Sequence, residues 1–396
     1  MEIRNLLKVD IAPNRVYGLD ILRAVAILSV IFLHGCLITP SFLSEKVEKV
    51  IPDGVSIFFV LSGFLIGGIL IKILEREKPN FTTLLGFWKR RWYRTIPNYY
   101  LILIIHTLIA VVFWPGFNVS EIIRSFFFLQ NFAWLQPWFF AESWSLSVEE
   151  WFYLLIPVLL FLVINIASIS SKRAVPVISI LIILMVTAFR FGKYIWYIEN
   201  APEQLVHREE LFGKEVITRL DCLMYGVIAA YISFYFKSLF LRYKVPLLFV
   251  GILLFLILKI VPSANNDLFV CVFSYSVISL GTAFTLPFLS DYKTGSGPVY
   301  KALTCTSLIS YSMYVLHLSF IKWFIIDFCL KDVFLSISDS FSPTAFWISQ
   351  YTFYWVLTIV LSILLYKYFE HPFMSLRDKK QRKRDCLKSH SFILER

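Results

Sequence analysis

Apolar residues run in blocks of about twenty along nearly the whole chain, each block closed by a short polar or charged stretch. The blocks predict helices near 18–38, 53–74, 94–114, 144–165, 174–194, 218–236, 245–262, 268–290, 304–328 and 345–370. The fold class expected is all-α: a polytopic membrane protein built as a bundle of about ten transmembrane helices. One integral membrane domain would cover 1–375, with a basic cytoplasmic tail at 376–396. Residues 121–140, EIIRSFFFLQNFAWLQPWFF, are also apolar and aromatic, but Arg124, Gln130, Asn131, Gln136 and Pro137 interrupt them. They read as a lid or re-entrant segment on the outer face, because irregular backbone at membrane depth needs protein or water around it.

Composition agrees with the pattern. Of 396 residues 58% are hydrophobic and 16% charged, and the mean hydropathy of +0.70 is far above that of a soluble domain. No polar stretch is long enough to fold separately. The formal net charge of +11 does not point to nucleic acid, since the cations sit in short inter-helix loops and near the C-terminus. They orient the chain instead. With the N-terminus cytoplasmic, the inner segments carry KRRWYR, Lys172 and Arg173, the cluster from Lys237 to Lys244, Lys293, Lys301 and RDKKQRKR, while the outer loops are poor in cations or balance them with Glu. The positive-inside rule then places both termini in the cytoplasm. About 17 mixed polar residues precede the first apolar block and no small-x-small cleavage site follows it, so the first helix is expected to be retained. The six cysteines, Cys36, Cys222, Cys271, Cys305, Cys329 and Cys386, are scattered without C-x-x-C spacing and read as buried small hydrophobes; no metal site is expected. No internal repeat of the kind found in duplicated transporters is visible.

The first block, LDILRAVAILSVIFLHG, carries Arg23 and His34. Arg at the centre of a spanning helix costs roughly 2.5–3.5 kcal/mol on insertion scales, so such a residue is usually near an end, paired, or facing a polar cavity. At 100° and 1.5 Å per residue, the eleven-residue spacing puts both side chains within about 20° of one face and about 16 Å apart along the axis. One reading makes them a functional pair at two depths. The other has Arg23 snorkelling to the inner interface and His34 packing as a hydrogen-bonded core residue. Glu149 and Glu150, in ESWSLSVEEWFYLLIP, fall near the level of His34, where a carboxylate could orient the imidazole; alternatively they face water or serve the helix N-terminus. Arg91 and Arg94, in FWKRRWYRTIP, stand one helical turn apart, a spacing that suits bidentate phosphate binding and equally suits a membrane anchor.

Taken together these stretches resemble the acyltransferase 3 family of bacterial membrane proteins, which acylate extracytoplasmic carbohydrates, usually from acetyl-CoA. The resemblance covers most of the chain. It rests on Arg23 and His34, FFVLSGFLI, Arg91 and Arg94, SWSLSVEEWFYLLIP, RLDCLMYG at 219–226, YSMYVLHLSF at 311–320 and EHPF at 370–373, in that order. It implies a ten-helix bundle around an acyl-CoA channel in the bacterial inner membrane, with Arg23, Arg91 and Arg94 handling the acyl donor and His34 the transfer. It favours Glu149 over Glu150 as the acidic residue, and it matches His317 to a recurring His in helix 9. His317, Glu150 and Asp20 are additional candidates. Some members carry a further hydrolase-like domain; this chain resembles the stand-alone subset.

The function expected is therefore O-acyl transfer, most simply O-acetyl transfer, from cytoplasmic acyl-CoA to a hydroxyl of a cell-surface or lipid-linked saccharide. His34 would act as base and Glu149 would orient it; direct attack and an acyl-histidine intermediate both fit. Ser143, Ser145 and Ser147 are candidates for oxyanion contact. Trp134, Trp138, Phe139, Phe140 and Trp144 could stack on a sugar or form an interfacial belt. The rival is a transporter or flippase for a lipid-linked sugar, and a third reading makes the polar residues purely structural.

Overall fold

The computed structural model describes residues 9, 11, 15–76, 79–114, 118–260, 267–338 and 342–376. Among them the helices are α1 (Tyr17–Gly35), α2 (Ser41–Val50), α3 (Gly54–Arg76), α4 (Phe81–Phe113), α5 (Val119–Phe126), α6 (Ser143–Ile166), α7 (Ser171–Asn200), α8 (Arg208–Gly213), α9 (Val216–Tyr235), α10 (Lys237–Arg242), α11 (Lys244–Ile260), α12 (Ser274–Asp291), α13 (Gly297–Leu316), α14 (Lys331–Ser338) and α15 (Pro343–Leu365). No strand occurs among the described residues. Nine helical stretches there are long and apolar enough to cross a membrane. The remaining expected span, near 245–262, is α11, whose 17 residues lie at the short end of what a bilayer requires. The tail beyond residue 376 lies outside the described residues.

Local signals explain where several elements begin. Asn80 caps α4 by accepting from the Thr83 amide at 2.9 Å, and Ser342 caps α15 through the Ala345 amide. Pro298 and Pro343 occupy first-turn positions of α13 and α15, where a missing N–H costs nothing. The interrupted aromatic stretch does not form a span. It becomes the short helix α5, a run of turns and a 3-10 turn at Trp138–Phe140. Its polar residues are met by the bundle: Gln130 and Asn131 are buried, and Asn131 donates to the carbonyls of Trp144 and Lys214.

The spans alternate in direction. α1 rises from the near end of the bundle, at Tyr17, to the far end, at Gly35. There the backbone of Gly35 meets the rings of Tyr351 and Tyr354, toward the middle of α15, while at the near end Gly18 donates to the Tyr292 carbonyl beyond α12. α3 and α9 pack backbone to backbone. A Cβ placed on Gly63 would lie 1.9 Å from the Leu223 carbonyl oxygen, and one on Gly226 would lie 2.0 Å from that of Val60. Small residues permit this approach, which is how helices associate where lipid offers no hydrophobic drive.

Polar clusters tie the spans together at depth. Arg190 of α7, fully buried, forms a forked pair with Asp221 of α9 at 2.7 and 3.1 Å and donates also to Ser276 of α12. α13 changes winding at its far end and continues as a π-helix over His317–Cys329. Such widened turns shift side-chain register and recur at functional sites. Replacing Gly226 with Val should force α3 and α9 apart at a cost of about 1–3 kcal/mol; the melting temperature of the detergent-purified variant should fall, and an unchanged value would refute the close-packing account.

Candidate active site

A cavity of about 110 Å³ lies within the bundle between α1, α3, α4, α6 and α13. Three arginines line it: Arg23 from α1, and Arg91 and Arg94 from adjoining turns of α4. The carboxylate among its lining side chains is that of Glu149, so the charges facing the space are predominantly positive. Arg23 is held from its own helix and from α13. Its Nη1 donates to Ser307 Oγ at 3.3 Å and stands 3.7 Å from Asp20. Asp20 is buried and accepts from Arg15 Nε and from Ser307 Oγ, both at 2.7 Å. Asp20 therefore fixes the base of the arginine cluster without lining the cavity.

Glu149 does not orient His34. Its carboxylate accepts from Tyr153 Oη at 2.9 Å, and Tyr153 is in turn 2.8 Å from Ser62. The physical reason is helical register. Ser145, Glu149 and Tyr153, four residues apart in succession, share the face of α6 that looks into the arginine cavity. Glu150, one position on, turns to α4 and accepts from Thr95 Oγ1 at 2.6 Å, joining two spans without reaching the cavity.

The partner of His34 is His317. His34 Nδ1 and His317 Nε2 are 2.7 Å apart, and His317 Nδ1 is 2.7 Å from the Tyr314 carbonyl oxygen. A carbonyl only accepts, so His317 Nδ1 carries a hydrogen and, in the neutral ring, Nε2 is the acceptor. His34 must then donate through Nδ1, which leaves the lone pair of His34 on Nε2. A chain of two rings and one backbone carbonyl thus specifies which nitrogen of His34 is basic. Tyr314 also closes the arginine cavity. Its ring lines that space, and its hydroxyl accepts from Ser145 Oγ at 2.6 Å and donates to the Glu142 carbonyl at 3.1 Å.

Glu142, just before α6, is a residue that sequence reasoning passed over. Its buried carboxylate accepts from the Ser319 hydroxyl and from the Ser319 amide at 3.3 Å, two positions beyond His317. Burial pushes this carboxyl up to about 7, against the hydrogen bonds of Ser319. Its position beside the SWSLSVEE motif was the available signal. Glu370, from EHPF, is likewise buried, accepting from Ser312 at 2.6 Å and Asn98 at 3.1 Å. All three candidate serines donate their hydroxyls, Ser143 and Ser147 to the carbonyls of Phe140 and Phe128 and Ser145 to Tyr314 Oη, and Ser145 is the one that lines the cavity. Phe139 and Phe140 are buried in the core and offer no platform to a sugar, whereas Trp134 and Trp138 are exposed. Among the described residues no group of acidic, His and Cys side chains is arranged to hold a metal.

Comparison with known proteins gives the family. Residues 16–367 match the acyltransferase 3 family model, described as an acyltransferase domain, and the chain belongs to that family. A protein of Staphylococcus aureus strain COL, named provisionally as an O-acetyltransferase, is 25% identical over 371 residues, covering 83% of this chain and 57% of the relative. The O-acetyltransferase OatA of Staphylococcus aureus strain NCTC 8325 is 27% identical over 239 residues, covering 56% of this chain and 35% of the relative. The matched part of the chain thus spans little more than half of the first relative and about a third of OatA. No solved structure matches it.

The tautomers make a direct test. In protein labelled with 15N-histidine, solid-state NMR should find His34 and His317 both protonated at Nδ1 when neutral, the form less common in free histidine. A His34 resonance with hydrogen on Nε2 would break the chain deduced here.

Proposed function

We propose that the protein is a membrane O-acyltransferase, most simply an O-acetyltransferase, that uses acyl-CoA from the cytoplasm and a saccharide hydroxyl on the other side. The observation that carries this reading is the three-arginine cavity ending at Tyr314, the residue whose carbonyl begins the hydrogen-bond chain to His34. Arg23, Arg91 and Arg94 supply guanidinium forks suited to the phosphates of CoA. The long pantetheine arm leads from there toward the histidine pair. Orientation follows from charge: Lys172, Arg173, Lys237, Lys244 and Lys293 all lie at the near end, which the positive-inside rule assigns to the cytoplasm. The family and the O-acetyltransferase relatives support the same reaction class.

The chemistry needs one base. His34 Nε2 takes the proton of the acceptor hydroxyl as its oxygen attacks the thioester carbonyl. The tetrahedral intermediate collapses with loss of the CoA thiolate, which takes the proton from the imidazolium and leaves as the free thiol. His317 holds His34 in the tautomer this step requires, as the acidic member orients the imidazole in a Ser-His-Asp triad. Asp20 acts through Arg23, and Glu149 balances the arginines between substrates. Glu150 has a linking role between α4 and α6.

Purified protein supplied with labelled acetyl-CoA should move label onto saccharide. Movement of a glycan across vesicles without covalent change would instead establish the transporter reading. His34→Ala should abolish transfer with normal membrane insertion, and transfer at the wild-type rate would remove the base from the mechanism. Arg91→Ala should raise the acyl-CoA concentration for half-maximal rate by about tenfold or more, the worth of a charge-assisted contact; an unchanged donor titration would make Arg91 an anchor only.

A further inference from the structure

A second cavity, about 640 Å³, lies behind the first, on the opposite side of α1 and α3. Neighbouring residues line different spaces: Leu22 and Arg23 on α1, Ile57 and Phe58 on α3, Trp144 and Ser145 on α6. Those helices form a wall between the two. The second cavity is a groove along the bundle. Leu22, Val25 and Leu33 mark its length on α1, about 16 Å at 1.5 Å per residue. Phe255 and Leu256 of α11 face them, and Val25 and Leu256 are 40% and 53% exposed on the lipid side of the bundle.

The far end of the groove is charged. Lys214, Lys259 and Arg219 lie there with Asp53 and Glu209. Arg219 is only 1% exposed. Its Nη2 donates to Ser56 Oγ at 2.6 Å, and its guanidinium carbon stands 4.1 Å from the centre of the Tyr275 ring. Its Nε and Nη1 are buried without a hydrogen-bond partner. Asp53 forms an ion pair with Nη2 at 3.7 Å but meets neither Nε nor Nη1. An unmet pair of donors on a buried cation is costly unless an anion completes it. Leu33, which lines the groove, immediately precedes His34 on α1.

We propose that the groove seats an anionic lipid: a long hydrocarbon chain along α1 and α11, with its phosphate on Nε and Nη1 of Arg219. Carrying a saccharide beyond that phosphate, the lipid is the acceptor substrate, presented to His34 from the side of the wall opposite the acyl donor. The role as acceptor rests on the transferase reading; the binding does not. A soluble saccharide would meet the charged end but would leave the apolar length of the groove unused. The depth of the apolar wall and the charge at its far end together select an amphiphile.

Binding is measurable without acyl-CoA, on the full chain in neutral detergent, by native mass spectrometry with three probes: a long-chain polyprenyl phosphate, the uncharged polyprenol and inorganic phosphate. Polyprenyl phosphate should bind one to one, with polyprenol and inorganic phosphate each at least tenfold weaker. Arg219→Gln should weaken it by tenfold or more. Val25→Trp, which narrows the groove from the lipid side and leaves Arg219 intact, should do the same and guards against misfolding of the first variant. Equal binding of the phosphate and the alcohol, equal binding of inorganic phosphate, or full binding by Val25→Trp would overturn the proposal. Label moved from acetyl-CoA onto a soluble saccharide, without binding of the lipid phosphate, sinks the groove and leaves the transferase; lipid binding without transfer of label does the reverse.

Discussion

A guanidinium at hydrocarbon depth has to be met by groups from other helices, and that requirement organises this bundle. Arg23 is tied through Ser307 and Asp20 to α13, Arg190 through Asp221 and Ser276 to α9 and α12, and Arg219 through Ser56 to α3. Each cluster fixes a distance and a rotation between spans that apolar contact alone would leave loose, because lipid tails are as good a neighbour for Leu as another helix is. The glycine contact between α3 and α9 adds a steric limit to the same arrangement.

Tyr314 connects the two halves of the site. Its ring and hydroxyl finish the arginine cavity against Ser145, and its carbonyl sets the hydrogen on His317. A displacement of this one residue reaches both the arginine cavity and the tautomer of His34. The change from α to π winding begins at His317, within the same turn. The wider turn aims the His317 ring across the bundle at α1 while its backbone carbonyls stay within the helix.

The wall formed by α1, α3 and α6 gives these helices two different surfaces. Adjacent positions on one helix look into spaces of different chemistry: an arginine-lined cavity on one side and a groove with an apolar length and a charged end on the other. His34 follows Leu33 of the groove on α1.

Hydropathy alone determined the class of fold, the positions of the spans and the exclusion of 121–140 from their number, because twenty-residue apolar blocks have few ways to satisfy their backbones in lipid. The eleven-residue spacing also placed Arg23 and His34 on one face of α1. Which groups those side chains meet was decided only by the tertiary structure. Glu149 lies at a depth that suggested His34, but depth does not fix rotation, and the register of α6 turns it to the arginines while His317, nearly three hundred positions along the chain from His34, takes its place. The roles of Glu142 and Ser319 were equally illegible, since a hydrogen bond between two loops or helix ends leaves no periodic trace in a sequence. Periodicity reports which way a residue faces relative to its own axis; the partner it finds depends on how ten such axes pack.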